Sequence, residues 1–227
     1  MKVVIATPSL AGPTEPYKAA LAGSAPLLDQ HEVRFVEEVG NPYISAARAT
    51  MLRKAMDWPA DAVVFIDYDL SWRPEDLLTL IDTPGEVVAG TYRFKKQDVE
   101  FMGGWFTDGD DRPALFGDGC IRANRVPAGF LKVTREAADK FMRAYPELTY
   151  GPRYAAAVDL FNHGAIDGVW YGEDYAFSKR WIEKCGDIRL VPNLTITHHS
   201  ADEAFPGNLH EYLMRQPGGA LEGQPWP

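Results

Sequence analysis

The chain has 227 residues, of which 46% are hydrophobic, and a formal net charge of −9. This length and composition suffice for one sizeable hydrophobic core, so we predict a single domain. The acidic balance, with basic residues scattered along the chain, argues against nucleic acid or an anionic membrane surface as the main partner. The apolar run at the N-terminus is too short for a signal sequence or a membrane span, which predicts a cytoplasmic protein. Cys120 and Cys185 have no metal-binding spacing and are expected to be reduced.

The N-terminal part of the chain has a strand–helix–strand pattern. Residues 2–6 form a short apolar run typical of a buried strand, and Thr7 and Pro8 follow it in a loop. A helix over residues 16–28 and a strand over residues 32–36 complete the pattern. No glycine-rich dinucleotide motif and no Walker motif is present, which argues against dehydrogenases and P-loop enzymes. Thr7 and Pro8 are candidates for contact with a nucleotide at the strand end.

A second helix is predicted over residues 44–58. Ile44, Met51 and Ala55 fall on one stripe when successive residues advance by roughly 100°. Arg48 lies in the middle of this apolar stripe. Two explanations are open: the arginine stem covers apolar surface, or the guanidinium binds a phosphate in a cleft.

The next strand ends in two carboxylates. Residues 63–66 are all apolar, as in a central strand covered on both faces, and Asp67, Tyr68 and Asp69 follow. Period-two geometry places both carboxylates on the same side of the chain. Like charges this close repel unless a cation lies between them, which predicts a divalent metal at the carboxyl edge of an α/β sheet. The alternative is a solvated turn after the strand.

The segment after the two aspartates begins with a predicted loop over residues 71–76, which opens a helix, and continues with a strand over residues 86–92. Arg93, Lys95 and Lys96 then form a basic loop that faces either a diphosphate or solvent.

The second half of the chain begins with an aromatic, glycine-rich stretch. This stretch, residues 99–129, predicts short strands in a smaller, mixed part of the sheet. Residues 128–133 form a further predicted strand, and residues 135–145 form a capped helix. Residues 146–171 show no periodicity, and loops of this length are usually functional.

Taken in order, these stretches resemble the GT-A glycosyltransferases, particularly family 2-like bacterial and viral members. The motifs span roughly residues 1–200: a first strand ending in a proline loop, Ser45 with Arg48 on a helix, Asp67-Tyr68-Asp69 at a strand end, a Gly-Phe strand, Glu173-Asp174 opening a helix, and a late histidine. The resemblance implies an α/β, Rossmann-like fold with a mixed, mostly parallel central sheet flanked by helices and a smaller acceptor-side β portion. It implies one such domain over residues 1–215, with a Gly/Pro-rich tail over residues 216–227.

The resemblance also implies an activity and a metal. The enzyme would move a sugar from a UDP- or GDP-type nucleoside-diphosphate sugar to a hydroxyl of a glycan or other glycoconjugate, using Mn²⁺ or Mg²⁺. Asp69 is the implied direct metal ligand, and Asp67 binds the metal or the nucleotide ribose, with Tyr68 between them in the donor site. His198 or His199 is the implied late ligand. Residues 194–199 form a last predicted strand. His198 shares one face of it with the apolar Leu194 and Ile196, which favours His198, although a structural histidine is an alternative for either.

The remaining implied roles lie on the acceptor side. Glu173 and Asp174 lie beside the donor sugar and the acceptor hydroxyl. An acid in the first turn of a helix is otherwise explained by the helix dipole, but Asp174 shares the helix's apolar face and is our candidate general base for an inverting reaction. Trp105, Trp170 and Tyr171 are acceptor-side candidates. A lipid-linked acceptor would place the protein peripherally at a membrane.

Two other classes remain as alternatives. Haloacid-dehalogenase-like phosphatases also carry Asp-x-Asp after an apolar strand, but that strand usually comes first in their chains. A catalytically silent carbohydrate-binding protein with a transferase-like fold is the other, because fold alone does not determine function.

Overall fold

A computed structural model of the protein describes residues 1–216. Its strands are Lys2–Ser9 (β1), Glu32–Val39 (β2), Ala62–Ile66 (β3), Leu70–Trp72 (β4), Val87–Ala89 (β5), Gly104–Trp105 (β6), Ile121–Arg125 (β7), Phe130–Thr134 (β8), Thr149–Tyr150 (β9), Ala157–Val158 (β10), Gly164–Ile166 (β11), Val169–Tyr171 (β12), Ile188–Leu190 (β13), Thr195–His199 (β14) and Ala204–Asn208 (β15). Its α-helices are Glu15–Ser24 (α1), Ile44–Asp57 (α2), Pro74–Asp82 (α3), Arg135–Ala144 (α4), Glu173–Lys184 (α5) and Leu209–Met214 (α6). Short 3₁₀ segments lie at Ala25–Leu28, Pro146–Leu148 and Arg153–Ala155.

The largest sheet in the described part of the chain has eight strands in the order β2-β1-β3-β8-β5-β13-β7-β6. Strands β8 and β7 run opposite to the other six. This is the mixed, mostly parallel central sheet that the sequence predicts, with β6 and β7 as its smaller antiparallel end. The fold-class prediction is therefore confirmed.

Both faces of this sheet are covered by helices. Because side chains alternate along a strand, Val3 and Ile5 of β1 pack into the cluster that includes α1 and α3 residues, whereas Val4 and Ala6 pack into the one that includes α2, α4 and α5 residues. Burial on both sides explains why β1 and β3 are continuous apolar runs and not alternating ones. It also leaves the strand ends as the place where polar side chains reach solvent.

The carboxyl ends of β1 and β3 lie at the same edge because these two strands are parallel neighbours. Strand β8 is antiparallel to β3 and begins at that edge, with Phe130 opposite Ile66. Gly129, the residue before β8, accepts a hydrogen bond from the backbone N–H of Asp67 at 2.9 Å. Asp67 is thereby fixed at the end of its strand.

A three-stranded sheet in the order β15-β14-β4 joins the late histidines to this edge. In it His198 lies opposite Leu70, and the backbone N–H of His199 donates to the carbonyl of Asp69 at 2.8 Å. The prediction of a loop over residues 71–76 is wrong in part, because Leu70–Trp72 pairs as strand β4. A three-residue strand followed at once by a proline-led helix is too short for sequence periodicity to reveal.

The prediction of an irregular segment over residues 146–171 also needs correction. It contains two small antiparallel pairs, β9 with β10 and β11 with β12. These strands have two or three residues each, below the length at which alternation is detectable. The predicted division into a domain over residues 1–215 and a tail stays a prediction, and residues 217–227 lie outside the described residues. No helix in the described residues is long and apolar enough to cross a membrane.

Candidate active site

A cleft of about 300 Å³ opens at the edge where β1 and β3 end. It is lined by Pro8, Ser9, Leu10, Asn41, Pro42, Ile44, Arg48, Asp67, Tyr68, Asp69, Tyr92, Met102, Glu173 and His198. Most of the polar candidates from the sequence therefore share one cavity. Its other walls are mostly apolar, as those of ligand sites generally are.

Arg48 holds two of the acidic side chains in this cleft. Its Nη1 donates to Glu173 Oε1 at 2.8 Å and its Nη2 donates to Asp67 Oδ1 at 2.7 Å. Arg48 is 2% exposed, and its guanidinium lies 5.3 Å from the ring centroid of Phe161. The helix places this arginine as the sequence predicts, but its head binds two carboxylates of the protein. The sequence left two explanations open for Arg48, covering of apolar surface and direct phosphate binding. The structure shows a third, in which the guanidinium pairs with Asp67 and Glu173.

Gly129 leaves the space in which Asp67 and Tyr92 meet. A Cβ atom at this glycine would lie 2.2 Å from Tyr92 Oη and 2.5 Å from Asp67 Oδ2. Burial and the charge of Asp67 raise the pKa of Tyr92 well above its usual value, so the hydroxyl stays neutral. If alanine replaces Gly129, neither the Tyr92 hydroxyl nor the Asp67 carboxylate can keep its position.

We therefore expect Gly129→Ala to lower the free energy of unfolding by about 1–3 kcal/mol, the usual cost of overpacking, and to move Asp67. Denaturant unfolding measures the first effect. Gly117→Ala is the control, because a Cβ there has no atom within 4 Å. Equal stabilities of the two variants would contradict the packing argument.

Asp69 lies between a lysine and a histidine. Its Oδ2 is 2.5 Å from Lys95 Nζ and 3.6 Å from His198 Nε2. Burial opposes its ionisation, but His198 and Lys95 together hold the pKa of Asp69 below its usual value. Asp69 is therefore a carboxylate at neutral pH.

The proton on His198 is located by a backbone carbonyl. Nδ1 of His198 lies 2.9 Å from the carbonyl oxygen of Arg93, and because a carbonyl only accepts, Nδ1 carries the hydrogen. Nε2 is then the nitrogen that faces Asp69, and it can bind a metal ion when it carries no proton. Metal-binding histidines are commonly fixed in this way through their other nitrogen.

Two of the proposed metal ligands are therefore adjacent, and two are engaged elsewhere. Asp69 and His198 face each other, whereas Asp67 is paired with Arg48 and His199 Nε2 lies 2.8 Å from Ser71 Oγ. Within residues 1–216 no group of three or more His, Cys, Asp or Glu side chains is arranged to hold a metal ion. A carboxylate beside a histidine nitrogen suits Mn²⁺ or Mg²⁺ when water or a ligand such as a diphosphate supplies the further oxygens.

Glu173 and Asp174 open α5 at the far side of the cleft. Glu173 lines the cavity, whereas Asp174 lies beside it, and the Tyr175 backbone N–H donates to Asp174 Oδ1 at 2.8 Å. Burial, together with the negative charge of Glu173, raises the pKa of Asp174 to about 6. A carboxyl with this pKa is suited to accept a proton near neutral pH.

Other predicted residues lie outside the cleft. The hydroxyl of Thr7 is buried against the hydroxyl of Tyr17, and only its neighbour Pro8 reaches the cavity. Trp170 is 72% exposed on the β11–β12 hairpin, and Trp105 is half-buried in β6. Tyr171 lines a second open cavity of about 440 Å³.

That second cavity lies along α5. It is bordered by Phe106, Asn124, Arg125, Tyr171, Tyr175, Lys179, Ile182 and Glu183.

Sequence reasoning missed Tyr92 and Met102 as parts of the cleft wall, and it gave no role to Gly129. It recognised Lys95 only as a member of a basic loop. The signal available for Gly129 was the Gly-Phe pair within the predicted strand over residues 128–133. The contacts of Tyr92 and Met102 depend on strand order, which the sequence pattern does not determine.

Comparisons with known proteins give structural but not sequence relatives. No protein-family model matches the chain, and no curated protein matches it. The crystal structure of GalNAc-T7 with UDP, GalNAc and Mn²⁺ is similar with a TM-score of 0.47 and 11% identity, over 87% of this chain and 44% of that chain. A glycosyltransferase involved in the glycosylation of the major capsid of PBCV-1 gives a TM-score of 0.36 and 10% identity, over 67% and 68% of the two chains. The inositol-1-phosphate CTP transferase from T. maritima gives 0.44 and 10%, over 98% and 97%.

The chain thus spans less than half of the GalNAc-T7 chain and nearly all of the CTP transferase chain. The similar structures include glycosyltransferases, the class that the sequence resembles.

Proposed function

We propose that this protein is a metal-dependent glycosyltransferase that moves a sugar from a nucleoside-diphosphate sugar, of UDP or GDP type, to a hydroxyl of a glycan or other glycoconjugate. One observation carries the proposal: a single cleft at the carboxyl edge of β1 and β3 contains the Asp67 and Asp69 carboxylates, the imidazole of His198 and the acidic start of α5. The motif order of the sequence agrees with this assignment.

The apolar side of the cleft is the donor side in this proposal. Pro8, Leu10 and Pro42 offer flat surface for a nucleotide base, and Asn41 offers an amide next to them. Asp69 and His198 would hold Mn²⁺ or Mg²⁺, with Asp67 next to the ribose or the metal. The divalent ion, when bound, stabilises the negative charge that develops on the departing diphosphate.

The acidic start of α5 is the acceptor side. Asp174 takes the proton of the attacking hydroxyl if the enzyme inverts, and Glu173, fixed by Arg48, holds a donor or acceptor hydroxyl. Aromatic groups on the same side, Trp105, Trp170 and Tyr171, are proposed to contact the acceptor. We propose that the enzyme acts in the cytoplasm, or at a membrane surface if its acceptor is lipid-linked.

The phosphatase alternative needs the first aspartate free to attack phosphorus. Oδ1 of Asp67 instead accepts a hydrogen bond from the guanidinium of Arg48. Such a partner lowers nucleophilicity, so the geometry favours the transferase.

Calorimetric titration with UDP, GDP, CDP and TDP, each with Mn²⁺ and with chelator, tests the proposal. We expect one nucleotide to bind only with metal, Asp69→Ala to abolish this dependence, and His198→Ala to weaken it more than His199→Ala. Slow hydrolysis of the matching nucleotide sugar should follow. Equal nucleotide affinity with metal and with chelator would contradict the metal assignment, and no binding of any nucleotide would contradict the function.

A further inference from the structure

The ammonium of Lys95 contacts Oδ2 of Asp69, the same oxygen that faces His198. Lys95 Nζ is 2.5 Å from Oδ2, and the same Oδ2 is the one 3.6 Å from His198 Nε2. A divalent ion shared by Asp69 and His198 must approach this oxygen. Lysine and metal therefore compete for one position, since two cations that close repel each other.

We propose that Lys95 is a displaceable counter-ion of Asp69: a divalent cation must expel its ammonium to bind, and the expelled ammonium then contacts the diphosphate. This rests on the proposed function. The proposal adds that metal and nucleotide bind with positive coupling. When the metal displaces the Lys95 ammonium from Asp69, that ammonium becomes available to bind the phosphates.

The placement of Lys95 permits this exchange. Its side chain is 33% exposed, whereas that of Asp69 is 15% exposed, so the lysine lies on the solvent side of the pair. It follows β5 on the same loop as Arg93, whose carbonyl holds the Nδ1 hydrogen of His198. A flexible four-carbon stem lets the ammonium move while the backbone that orients the histidine stays in place.

The loop supplies a matched control. Lys96, the next residue, pairs with Glu100 instead of Asp69. Lys96→Gln removes the same charge from the same loop as Lys95→Gln. A general electrostatic effect would therefore appear in both variants, and competition for Asp69 only in one.

The test measures Mn²⁺ alone, by calorimetry or by the electron paramagnetic resonance of free Mn²⁺, with no nucleotide present. Lys95→Gln is expected to bind Mn²⁺ roughly tenfold more tightly than the unmodified protein, as expected for loss of a competing, partly buried ion pair. Lys96→Gln should bind as the unmodified protein does, and Asp69→Asn should lose the site in either background.

The second measurement uses the nucleoside diphosphate at saturating Mn²⁺. Here Lys95→Gln is expected to bind the nucleotide several-fold more weakly, the opposite direction to its effect on metal. A merely structural role of Lys95 does not produce two effects of opposite sign.

Unchanged or weaker Mn²⁺ binding in Lys95→Gln, or an equal gain in Lys96→Gln, overturns the inference. Metal-dependent nucleotide binding in the unmodified protein is measured separately, so the inference can fail while the proposed function stands. If no nucleotide binds but Lys95→Gln still gains Mn²⁺ affinity, the competition is upheld and the transferase assignment fails.

Discussion

Asp174→Asn is expected to fold, to bind Mn²⁺ and nucleoside diphosphate normally, and to lose transfer activity by about 10²–10⁴-fold, the usual contribution of a general base. The amide has the size and the hydrogen-bonding oxygen of the acid but cannot accept the acceptor's proton. Single-turnover transfer with the donor found by calorimetry measures the loss. Near-full transfer in this variant would leave the helix dipole as the explanation of Asp174.

The pH dependence provides a second measurement of the same group. Because burial and Glu173 raise the pKa of Asp174 to about 6, transfer should rise as pH increases through that value. Stability should move oppositely, because a folded-state pKa above the ordinary value of 3.8 means that the folded state favours the neutral acid. That stabilisation is full below the unfolded pKa and is lost as pH rises through about 6. At pH 7 the asparagine variant should therefore be more stable, on the order of 1–3 kcal/mol.

Asp76 is the matched control for this prediction. It also lies in the first turn of a helix, α3, and burial raises its pKa to about 6. Its Oδ2 accepts from the backbone N–H of Thr195 at 2.9 Å, away from the cleft. Asp76→Asn should change how stability depends on pH but leave the pH profile of transfer unaltered. An identical shift of the transfer profile in both variants would contradict the assignment of Asp174.

The sequence predicted those parts of the fold that depend on local pattern. The apolar run before Asp67 and the stripe on α2 are long enough for periodicity, and both form the predicted elements. Strand order was not predictable, because the position of β8 between β3 and β5 depends on pairing between distant segments. The short strands β4 and β15 were missed for the related reason that their conformation is determined by pairing with β14.

For the site, the sequence identified which side chains lie together in the cleft but not which ion pairs they form. Spacing placed Asp67 and Asp69 at one strand end, and the cleft contains both. Each nevertheless has its own cation, Arg48 for Asp67 and Lys95 for Asp69. The repulsion that predicted a metal is therefore already reduced by protein charges. Such ion pairs join residues from separate elements of the fold, and they cannot be predicted from a single sequence.

Arg48→Met is expected to lower the free energy of unfolding by about 3–5 kcal/mol, because removing one partner of a buried ion pair leaves uncompensated charge. The two carboxylates concerned, Asp67 and Glu173, are 27% and 25% exposed at their side chains, so water only partly replaces the guanidinium. Thermal and denaturant unfolding measure the loss. Lys54→Met on the same helix is the control, because the lysine of its ion pair with Glu38 is exposed and the pair should contribute no more than about 1 kcal/mol.

Two further variants separate the ion pair from direct phosphate binding. Adding Asp67→Asn to Arg48→Met should recover part of the lost stability, because one of the two stranded charges is removed. Arg48→Lys should also be destabilised, since a single ammonium lacks the planar fork that reaches both Asp67 Oδ1 and Glu173 Oε1. If Arg48→Lys instead keeps its melting temperature and loses only nucleotide affinity, the arginine binds phosphate and the carboxylate contacts are incidental. If stability and affinity fall together, and the double variant restores stability alone, Arg48 acts by fixing the two acids between which the sugar is transferred.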